Sequence, residues 1–300
     1  MKVIKFGGTS VGSLEGLLNI KKIVSAEKDQ VLVVVSAISG MTDLLIQTSK
    51  LAAVGNTEYQ TNVQKMREMH ASLIEKVFPE DDVQAILQNT NKMLDELSNI
   101  FQGVCLIQDL SAKSEAVILS YGERISSMLV SKLLKAKHLD ARELIKTDFK
   151  YSKNVVNFEE TSKAIYQQCK SLPQVTVMGG FISSSAETGE TTNLGRGGSD
   201  YTAAIMAAEL KAIVLEIWTD VDGFMTADPK VINNAYVIEK LSFVEAMELC
   251  NFGAKVLYPP TIFPVYHDNI PIRIKNTFNP QAPGTFISRE HYSGEGKAIK

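Results

Sequence analysis

Cysteine is scarce in this chain, and no two cysteines stand close together. The three thiols, at Cys105, Cys169 and Cys250, are odd in number and far apart, and none of the four histidines lies at metal-ligand spacing from them. A disulfide framework and a zinc site of the C-x-x-C type are therefore excluded. We expect reduced thiols that are buried in the fold.

Long apolar runs and basic blocks are also missing. The longest apolar runs, Val31–Val35 and 213–217, are far shorter than the roughly 20 residues that cross a bilayer. Lysine and arginine number 31 against 34 aspartates and glutamates, a formal net charge of −3, and no basic block exceeds Lys21-Lys22. The start of the chain has no cleavable apolar segment. These absences predict a soluble, cytoplasmic protein that binds neither a membrane nor nucleic acid.

Common signatures of nucleotide-binding proteins are absent as well. The sequence contains no GxxxxGK[ST] and no HRD with DFG. In its glycine-rich run at 195–200, Asp200 stands where GxGxxG requires the last glycine. The sequence therefore lacks the signature motifs of P-loop enzymes, protein kinases and standard dinucleotide-binding folds.

The chain does contain a repeated alternation of short β-branched runs with longer helical patterns. Several runs are apolar on both faces, as strands covered by helices on each side must be. A chain of 300 residues with 45% hydrophobic residues can bury a large core. The alternation predicts an α/β fold with a largely parallel sheet. The predicted strands are 3–6, 31–35, 175–178, 213–218 and 272–274.

Between 58 and 137 the pattern is helical instead, which predicts a helical insertion on one side of the sheet. No repeat or linker-like tract interrupts the chain before its end. We therefore expect one domain over 1–287, followed by a polar linker over 288–300. The apolar residues that fall near one helical face of the insertion, and that we expect in the core, include Val83, Leu87, Leu94, Leu97 and Phe101.

The segment KFGGTS at 5–10 joins a predicted strand to a predicted helix. Gly7 and Gly8 allow the backbone to approach a ligand, and the N–H groups at the helix start favour an anion. Lys5 would point a cation at that anion. An ordinary glycine turn with a solvated lysine explains the same residues, so this segment alone leaves both interpretations open.

The segment LGRGGSDYTAA at 194–204 predicts a glycine-rich loop that leads into a helix, with Ser199 or Asp200 as its N-cap. A second anion site is the functional interpretation. In that interpretation Arg196 grips a carboxylate with two hydrogen bonds, and Asp200 organises cations around a phosphate. Simple capping is the alternative, but two such loops in one chain favour the anion site.

The segment WTDVDGFMTADPK at 218–230 follows an apolar strand. Its polar residues should therefore lie at the carboxyl edge of the sheet, where open α/β folds bind ligands, and we interpret them as a nucleotide site. A calcium loop formed by Asp220, Asp222 and Asp228 is disfavoured, because their spacing does not match an EF-hand. In NFGAKVLYPPTI at 251–262, Lys255 either contacts a phosphate or complements a helix dipole, and spacing does not decide.

Taken together, these segments resemble the aspartate kinases of the amino acid kinase family. The match spans nearly the whole chain, and the motifs occur in the family's order. It implies a three-layer αβα sandwich and transfer of the ATP γ-phosphoryl group, with Mg²⁺ bridging the phosphates, to the side-chain carboxylate of L-aspartate, which gives 4-phospho-L-aspartate. That is the entry step to lysine, threonine and methionine. The matching segments are KFGGTS at 5–10, SAISGMTDLL at 36–45, YGER at 121–124, GRGGSDYTA at 195–203, WTDVDG at 218–223, DP at 228–229 and FGAKVLYP at 252–259.

The resemblance also implies a role for individual residues. Lys5 and Asp200 are its catalytic pair, in which Lys5 neutralises charge on the transferring phosphoryl group and Asp200 holds the cationic groups in register. Arg196 suits the α-carboxylate of aspartate and Glu123 its α-ammonium. The residues that match the aspartate pocket are Ser36, Thr42, Glu123, Phe181, Arg196, Gly197, Gly198 and Ser199. Those that match the ATP side are Lys5, Gly7, Gly8, Thr219, Asp220, Met225, Lys230, Lys255 and Val256.

The chain departs from the family's pattern in two respects. Met225 and Lys230 stand where many members carry Tyr and Arg, which removes ring stacking and a bidentate phosphate contact at those positions. Aspartate kinases also continue into paired regulatory domains that bind lysine or threonine, and this sequence stops about where they would begin. We expect no feedback control in this chain, and a homo-oligomer for the full-length enzyme.

Two other functions are weighed against this one. A sibling kinase would act on glutamate, acetylglutamate or carbamate, but an acceptor without a free ammonium has no use for Glu123. A silent sensor would bind aspartate or nucleotide without turnover. The presence of both Lys5 and Asp200 disfavours it, since a binding module has little need for the pair.

Overall fold

The computed structural model describes residues 1–227, 231–232, 234–254 and 256–290. The predicted site residues Lys230 and Lys255, the DP pair at 228–229 and most of the predicted linker, 291–300, lie outside the described residues. The strands are β1 (Lys2–Phe6), β2 (Val31–Val35), β3 (Lys137–Leu139), β4 (Lys146–Lys150), β5 (Lys153–Val156), β6 (Val175–Gly179), β7 (Ile182–Ser185), β8 (Thr191–Asn193), β9 (Leu215–Thr219), β10 (Lys240–Ser242), β11 (Ile272–Asn276) and β12 (Thr285–Ser288). The helices are α1 (Gly8–Val11), α2 (Leu14–Ser25), α3 (Met41–Ala53), α4 (Tyr59–Val77), α5 (Glu80–Ile107), α6 (Ala112–Leu134), α7 (Ala141–Leu144), α8 (Phe158–Gln168), α9 (Gly198–Glu209), α10 (Phe243–Asn251) and α11 (Ile262–His267).

The central sheet has eight strands in the order β10-β12-β11-β9-β1-β2-β6-β3. Every neighbouring pair is parallel except β11 and β12. The five adjacent strands β11, β9, β1, β2 and β6 are those that the sequence predicts, so the prediction of a mainly parallel sheet is confirmed. Because these strands run in the same direction, their carboxyl ends form one edge, and the loops that leave that edge carry the motifs.

Alternate residues of the central strands are buried in two different cores. In β2, Val31, Val33 and Val35 belong to the first core, whereas Leu32 and Val34 belong to the second. Helices α2 to α6 supply side chains to the first core, and α7 to α11 supply the second. The apolar character of both strand faces is thereby explained. The architecture is the three-layer αβα sandwich that the sequence predicts.

The predicted helical insertion consists of the long helices α4, α5 and α6, which pack in the first core. Leu94, Leu97 and Phe101 of α5 are buried, and Val83 and Leu87 pack against them while partly exposed. The apolar stripe is therefore core, as expected. None of the helices that the structure describes is both long and apolar enough to cross a membrane.

A second sheet of four strands, in the order β5-β4-β7-β8, was not predicted. Its strands β7 and β8 read ISSS and TTN, so hydroxyl side chains replace the apolar β-branched run that normally signals a strand. Thr192 Oγ1 lies 2.8 Å from both Thr147 Oγ1 and Ser183 Oγ. These bonds satisfy the buried hydroxyls and hold the segment that leads into α9.

The cysteines are free, as expected, but they are half-buried rather than buried. Each stands within the last turn or at the cap of its helix, where one side of the chain faces solvent. Burial nevertheless raises the pKa of the Cys250 thiol to about 11 and also raises that of Cys169. Both groups are consequently held in the unreactive thiol form.

Candidate active site

Lys5 and Asp200 meet at the carboxyl edge of the central sheet. Lys5 faces the same side of β1 as Val3, the side on which α9 packs, and Asp200 lies in the first turn of α9. Their side chains form an ion pair, with Lys5 Nζ 2.7 Å from Asp200 Oδ1. The side chains are only 11% and 15% exposed, so water screens the pair weakly.

The first turn of α9 is capped differently from the prediction. The N-cap is Gly197, not Ser199 or Asp200, and no side chain accepts a capping hydrogen bond. Gly197 has a φ of +67°, and a Cβ built on it would lie 2.3 Å from Cγ of Tyr258. Only glycine satisfies both requirements. Since Ser199 and Asp200 are not used for capping, their side chains remain beside the cavity described next.

A cavity of about 630 Å³ opens beside the Lys5–Asp200 pair. It collects all the residues predicted for the acceptor pocket, from the loops after β2, β6 and β8, from α3 and α6, and from the first turn of α9. Those predicted residues are Ser36, Thr42, Glu123, Phe181, Arg196, Gly197, Gly198 and Ser199. The lining also includes residues that the sequence analysis did not select, namely Ala37, Ile38, Ser39, Gly40, Asp43, Ile46, Leu119, Asn193 and Gly195.

Glu123, on α6, is the most deeply buried ionisable group of this cavity, with 4% of its surface exposed. Its Oε1 accepts a hydrogen bond of 3.2 Å from the backbone N–H of Ala37, whereas Oε2 has no hydrogen-bond partner among the described residues. Burial raises the pKa of the Glu123 carboxyl to about 8, against the opposing effects of the Ala37 N–H and the charge of Lys5. A cation bound beside Glu123 would stabilise the ionised carboxylate and oppose the effect of burial.

Arg196 also lines the cavity but is exposed, and it forms no ion pair with any described residue. Its planar guanidinium is free to take a carboxylate with two hydrogen bonds. The cavity thus offers the cationic side chain of Arg196, the Lys5–Asp200 ion pair, and the buried Glu123 carboxyl, which can ionise when a cation binds beside it. That set matches a small molecule with two carboxylates and one ammonium.

The residues predicted for the nucleotide are spread along the same edge. Gly7 follows β1, where its N–H donates 3.1 Å to the carbonyl of Trp218. Thr219 is the last residue of β9, and Asp220 follows it. Gly8 starts α1, and a Cβ there would lie 2.8 Å from the carbonyl oxygen of Ala37. Close packing of two loops therefore accounts for Gly8 without an anion.

Two further nucleotide candidates lie apart from the cavity lining. Met225 forms an isolated antiparallel bridge with Val237, and Val256 packs against the second core. Neither residue lines the cavity among the described residues. The structure therefore brings all the acceptor candidates into one cavity, whereas Met225 and Val256 lie outside it.

The segment after β11 fixes these loops and was missed in the sequence. Thr277 Oγ1 lies 2.7 Å from Ser10 Oγ, and the Thr277 N–H donates 2.8 Å to the carbonyl of Thr219. The side-chain amides of Asn276 and Asn279 donate to Asp222 Oδ1 over 2.8 and 3.2 Å. The polar run NTFN after an apolar strand was the available signal. Among the described residues, no cluster of three or more His, Cys, Asp or Glu is placed to hold a metal ion.

Comparison with known proteins gives a consistent relationship. The sequence profile of the Amino acid kinase family matches residues 1–276. The chain is 36% identical to an aspartokinase of Chlamydia pneumoniae, over 95% of this chain and 62% of that protein. It is 34% identical to a bifunctional aspartokinase/homoserine dehydrogenase of Buchnera aphidicola, over 98% of this chain and 37% of that protein. The chain thus spans less than two thirds of these relatives.

A solved structure gives the same result for the fold. E. coli aspartokinase III, in complex with aspartate and ADP, superimposes with a TM-score of 0.87 at 30% identity, over 98% of this chain and 65% of that one. From the family profile, the relatives and the αβα sandwich with its edge site, the chain belongs to the amino acid kinase family.

Proposed function

We propose that residues 1–287 form the catalytic domain of an aspartate kinase, which transfers the γ-phosphoryl group of ATP to the β-carboxylate of L-aspartate. The observation that carries the proposal is one cavity in which the Lys5–Asp200 pair, Arg196 and the buried Glu123 face the same space. The likeness to an aspartokinase bound to aspartate and ADP supports it. We also propose 288–300 as a linker, and a cytoplasmic homo-oligomer as the full-length enzyme.

L-aspartate complements the charges of this cavity. Arg196 takes the α-carboxylate in a bidentate pair, and Glu123 takes the α-ammonium. The β-carboxylate then faces Lys5 and, beyond it, the nucleotide. The neutral groups Ser36, Thr42, Phe181, Gly197, Gly198 and Ser199 supply the shape of the pocket. Glutamate, longer by one methylene, would place its distal carboxylate out of register.

ATP lies along the edge formed by the ends of β1 and β9. We assign Gly7, Gly8, Thr219 and Asp220 to its phosphate side, and Met225 and Val256 to its remaining contacts. Lys230 and Lys255, which we also expect to contact ATP, lie outside the described residues. Mg²⁺ would enter as part of the nucleotide substrate and would neutralise charge on its phosphates. A cage of protein carboxylates is therefore not required.

The chemistry needs no general base, because the attacking carboxylate is already ionised at neutral pH. One of its oxygens forms a bond to the γ-phosphorus, the bond from that phosphorus to the β,γ-bridging oxygen breaks, and ADP leaves with the electron pair. Charge accumulates on the transferring group. Lys5 neutralises that charge and Asp200 fixes the direction of the Lys5 amino group, so positioning and electrostatics supply the catalysis.

The experiment is ATP- and Mg²⁺-dependent formation of acyl phosphate, trapped as the hydroxamate, on aspartate, glutamate and acetylglutamate in parallel. We expect turnover on aspartate alone. Turnover on acetylglutamate would favour a sibling kinase, since that acceptor has no free ammonium for Glu123. Aspartate binding without turnover on any acceptor would favour a silent sensor and contradict the proposal.

A further inference from the structure

Phe181, one wall of the acceptor cavity, has an unusual backbone conformation. Its φ is +65°, in the left-handed region that residues other than glycine rarely occupy. Such a residue persists only when its surroundings hold it in place. Its carbonyl accepts a hydrogen bond of 2.9 Å from the N–H of Leu194, and its own N–H donates 3.0 Å to Oγ1 of Thr202.

Thr202 lies on α9, and the same hydroxyl also bonds within that helix. Its O–H donates 2.8 Å to the carbonyl of Gly198, the first residue of α9. Thr202 is completely buried, so water does not compete for either bond. One hydroxyl therefore joins the turn after β6 to the first turn of α9, which carries Ser199 and Asp200.

The two turns leave no space between them. A Cβ on Gly180 would lie 2.6 Å from Cα of Ser199, and a Cβ on Gly198 would lie 2.9 Å from Cδ2 of Phe181. At such close packing, a small displacement of one turn must displace the other. Within this contact the Thr202 hydroxyl supplies the directional bonds.

We propose that Thr202 is a positioning residue, whose hydroxyl holds Phe181 against the first turn of α9 and thereby sets the affinity of the cavity for its amino acid. The catalytic effect on aspartate rests on the function proposed above, whereas the structural effect on Phe181 does not. Thr202 touches no reacting atom. It acts through Phe181 and Gly198, and so belongs to the acceptor pocket rather than to the phosphoryl-transfer machinery.

The test compares Thr202→Val, which keeps the shape of the side chain and removes its hydroxyl, with Thr202→Ser, which keeps the hydroxyl. We expect Thr202→Val to raise KM for aspartate about tenfold, the effect of one buried unpaired N–H, with kcat changed less than about threefold. Thr202→Ser should behave as the wild type. An unchanged KM in Thr202→Val, or an equal rise in Thr202→Ser, would overturn the inference.

The chain provides a matched control in α3. Thr48 is also completely buried, and its hydroxyl donates 2.6 Å to the carbonyl of Leu44, but it accepts no bond from a cavity residue. Thr48→Val should leave KM for aspartate unchanged. If Thr48→Val raised it as much as Thr202→Val does, the effect would be general loosening, and the inference would fail.

Hydrogen–deuterium exchange separates this inference from the proposed function. In the ligand-free protein, the peptide that contains Phe181 should exchange about tenfold faster in Thr202→Val than in wild type or Thr202→Ser. Equal exchange in all three would contradict the inference even if aspartate were the substrate. Failure of the wild type to phosphorylate aspartate would overturn only the proposed function. If Thr202→Val does not fold, Thr202→Cys, with its weak hydrogen-bonding thiol, should show the same faster exchange, and wild-type exchange there would refute the inference.

Discussion

The amino group of Lys5 lies 2.7 Å from the carboxylate of Asp200, although the two residues come from distant segments of the chain. The contact exists because α9 packs on the same face of β1 from which Lys5 projects. A lysine alone is a flexible point charge, and its carboxylate partner gives it a direction. In the proposed function, the pair is consequently preorganised for a phosphoryl group before either substrate binds.

Replacement of Lys5 tests this preorganisation. Lys5→Ala should lower kcat about a hundredfold to a thousandfold, the usual cost of one transition-state contact, with little change in KM for aspartate. Lys2→Ala is the matched control, since Lys2 lies on the same strand and pairs with Glu27 at 2.8 Å outside the cavity. Steady-state kinetics on both variants measure kcat and KM for aspartate. A loss confined to KM would contradict the assigned role.

Arg196 is predicted to bind the α-carboxylate of the acceptor. Arg196→Lys keeps the charge but loses the bidentate geometry, so KM for aspartate should rise about tenfold while KM for ATP stays constant. Arg67→Lys, on α4 and paired with Asp95, serves as a control outside the cavity. An unchanged KM for aspartate in Arg196→Lys would show that the pocket is wrongly assigned.

Glu123 should make stability depend on pH in a characteristic direction. Its pKa is about 8 in the folded chain, against an ordinary value of 4.5, so the folded state holds the proton more tightly. Its contribution to stability is fully present below about pH 4.5 and is lost as the pH rises through about 8. Glu123→Gln has no such titration. The free energy of unfolding of the wild type should therefore fall, relative to the variant, between about pH 5 and pH 9.

Urea unfolding of both proteins across that range measures the difference directly. The comparison with Glu123→Gln also removes the effect of His70 and His138, whose pKa values are lowered by burial and which act in the opposite direction. Parallel pH curves for the two proteins would mean that Glu123 is ionised in the empty cavity.

Gly197 is predicted to be irreplaceable for two separable reasons. Gly195→Ala introduces backbone strain alone, because its φ is +69° and no atom lies within 4 Å of the added Cβ. Gly197→Ala adds a collision with the ring of Tyr258 to a similar strain. We expect a loss of about 1 kcal/mol of stability for Gly195→Ala and a larger loss for Gly197→Ala. Thermal unfolding of both variants checks this, and equal losses would mean that Tyr258 moves aside freely.

The sequence predicted those parts of the fold in which apolar residues carry the signal. The strands β1, β2, β6 and β9 carry apolar residues on both faces, β11 carries Ile272 and Ile274 on one face, and the apolar residues of the long helices recur at the helical period. The second sheet was missed because β7 and β8 are rich in serine and threonine. The prediction of the N-cap of α9 was wrong. The side chains of Ser199 and Asp200 suit an N-cap, but the tertiary contact of Gly197 with Tyr258 determines where the helix begins.

The acceptor site was predictable residue by residue only where a motif marked it. Lys5, Arg196 and Asp200 stand in glycine-rich segments that indicate a ligand, and Glu123 lies in a segment recognised through its resemblance to a family. Asp43 lies in a recognised segment without a role assigned to it, Asn193 lies outside the recognised segments, and the tertiary structure brings both to the cavity. The role of Thr202 depends on a bond to Phe181 that no local pattern reveals.

The most direct measurement follows oxygen atoms. L-aspartate labelled with ¹⁸O in its β-carboxylate is incubated with the chain, ATP and Mg²⁺, the product is cleaved with hydroxylamine, and the released phosphate is examined by ³¹P NMR. Attack of the β-carboxylate on the γ-phosphorus predicts phosphate that carries one ¹⁸O atom, because hydroxylamine cleaves the bond between carbon and the bridging oxygen. Phosphate without ¹⁸O would mean that water or another group is the acceptor, and would contradict the account.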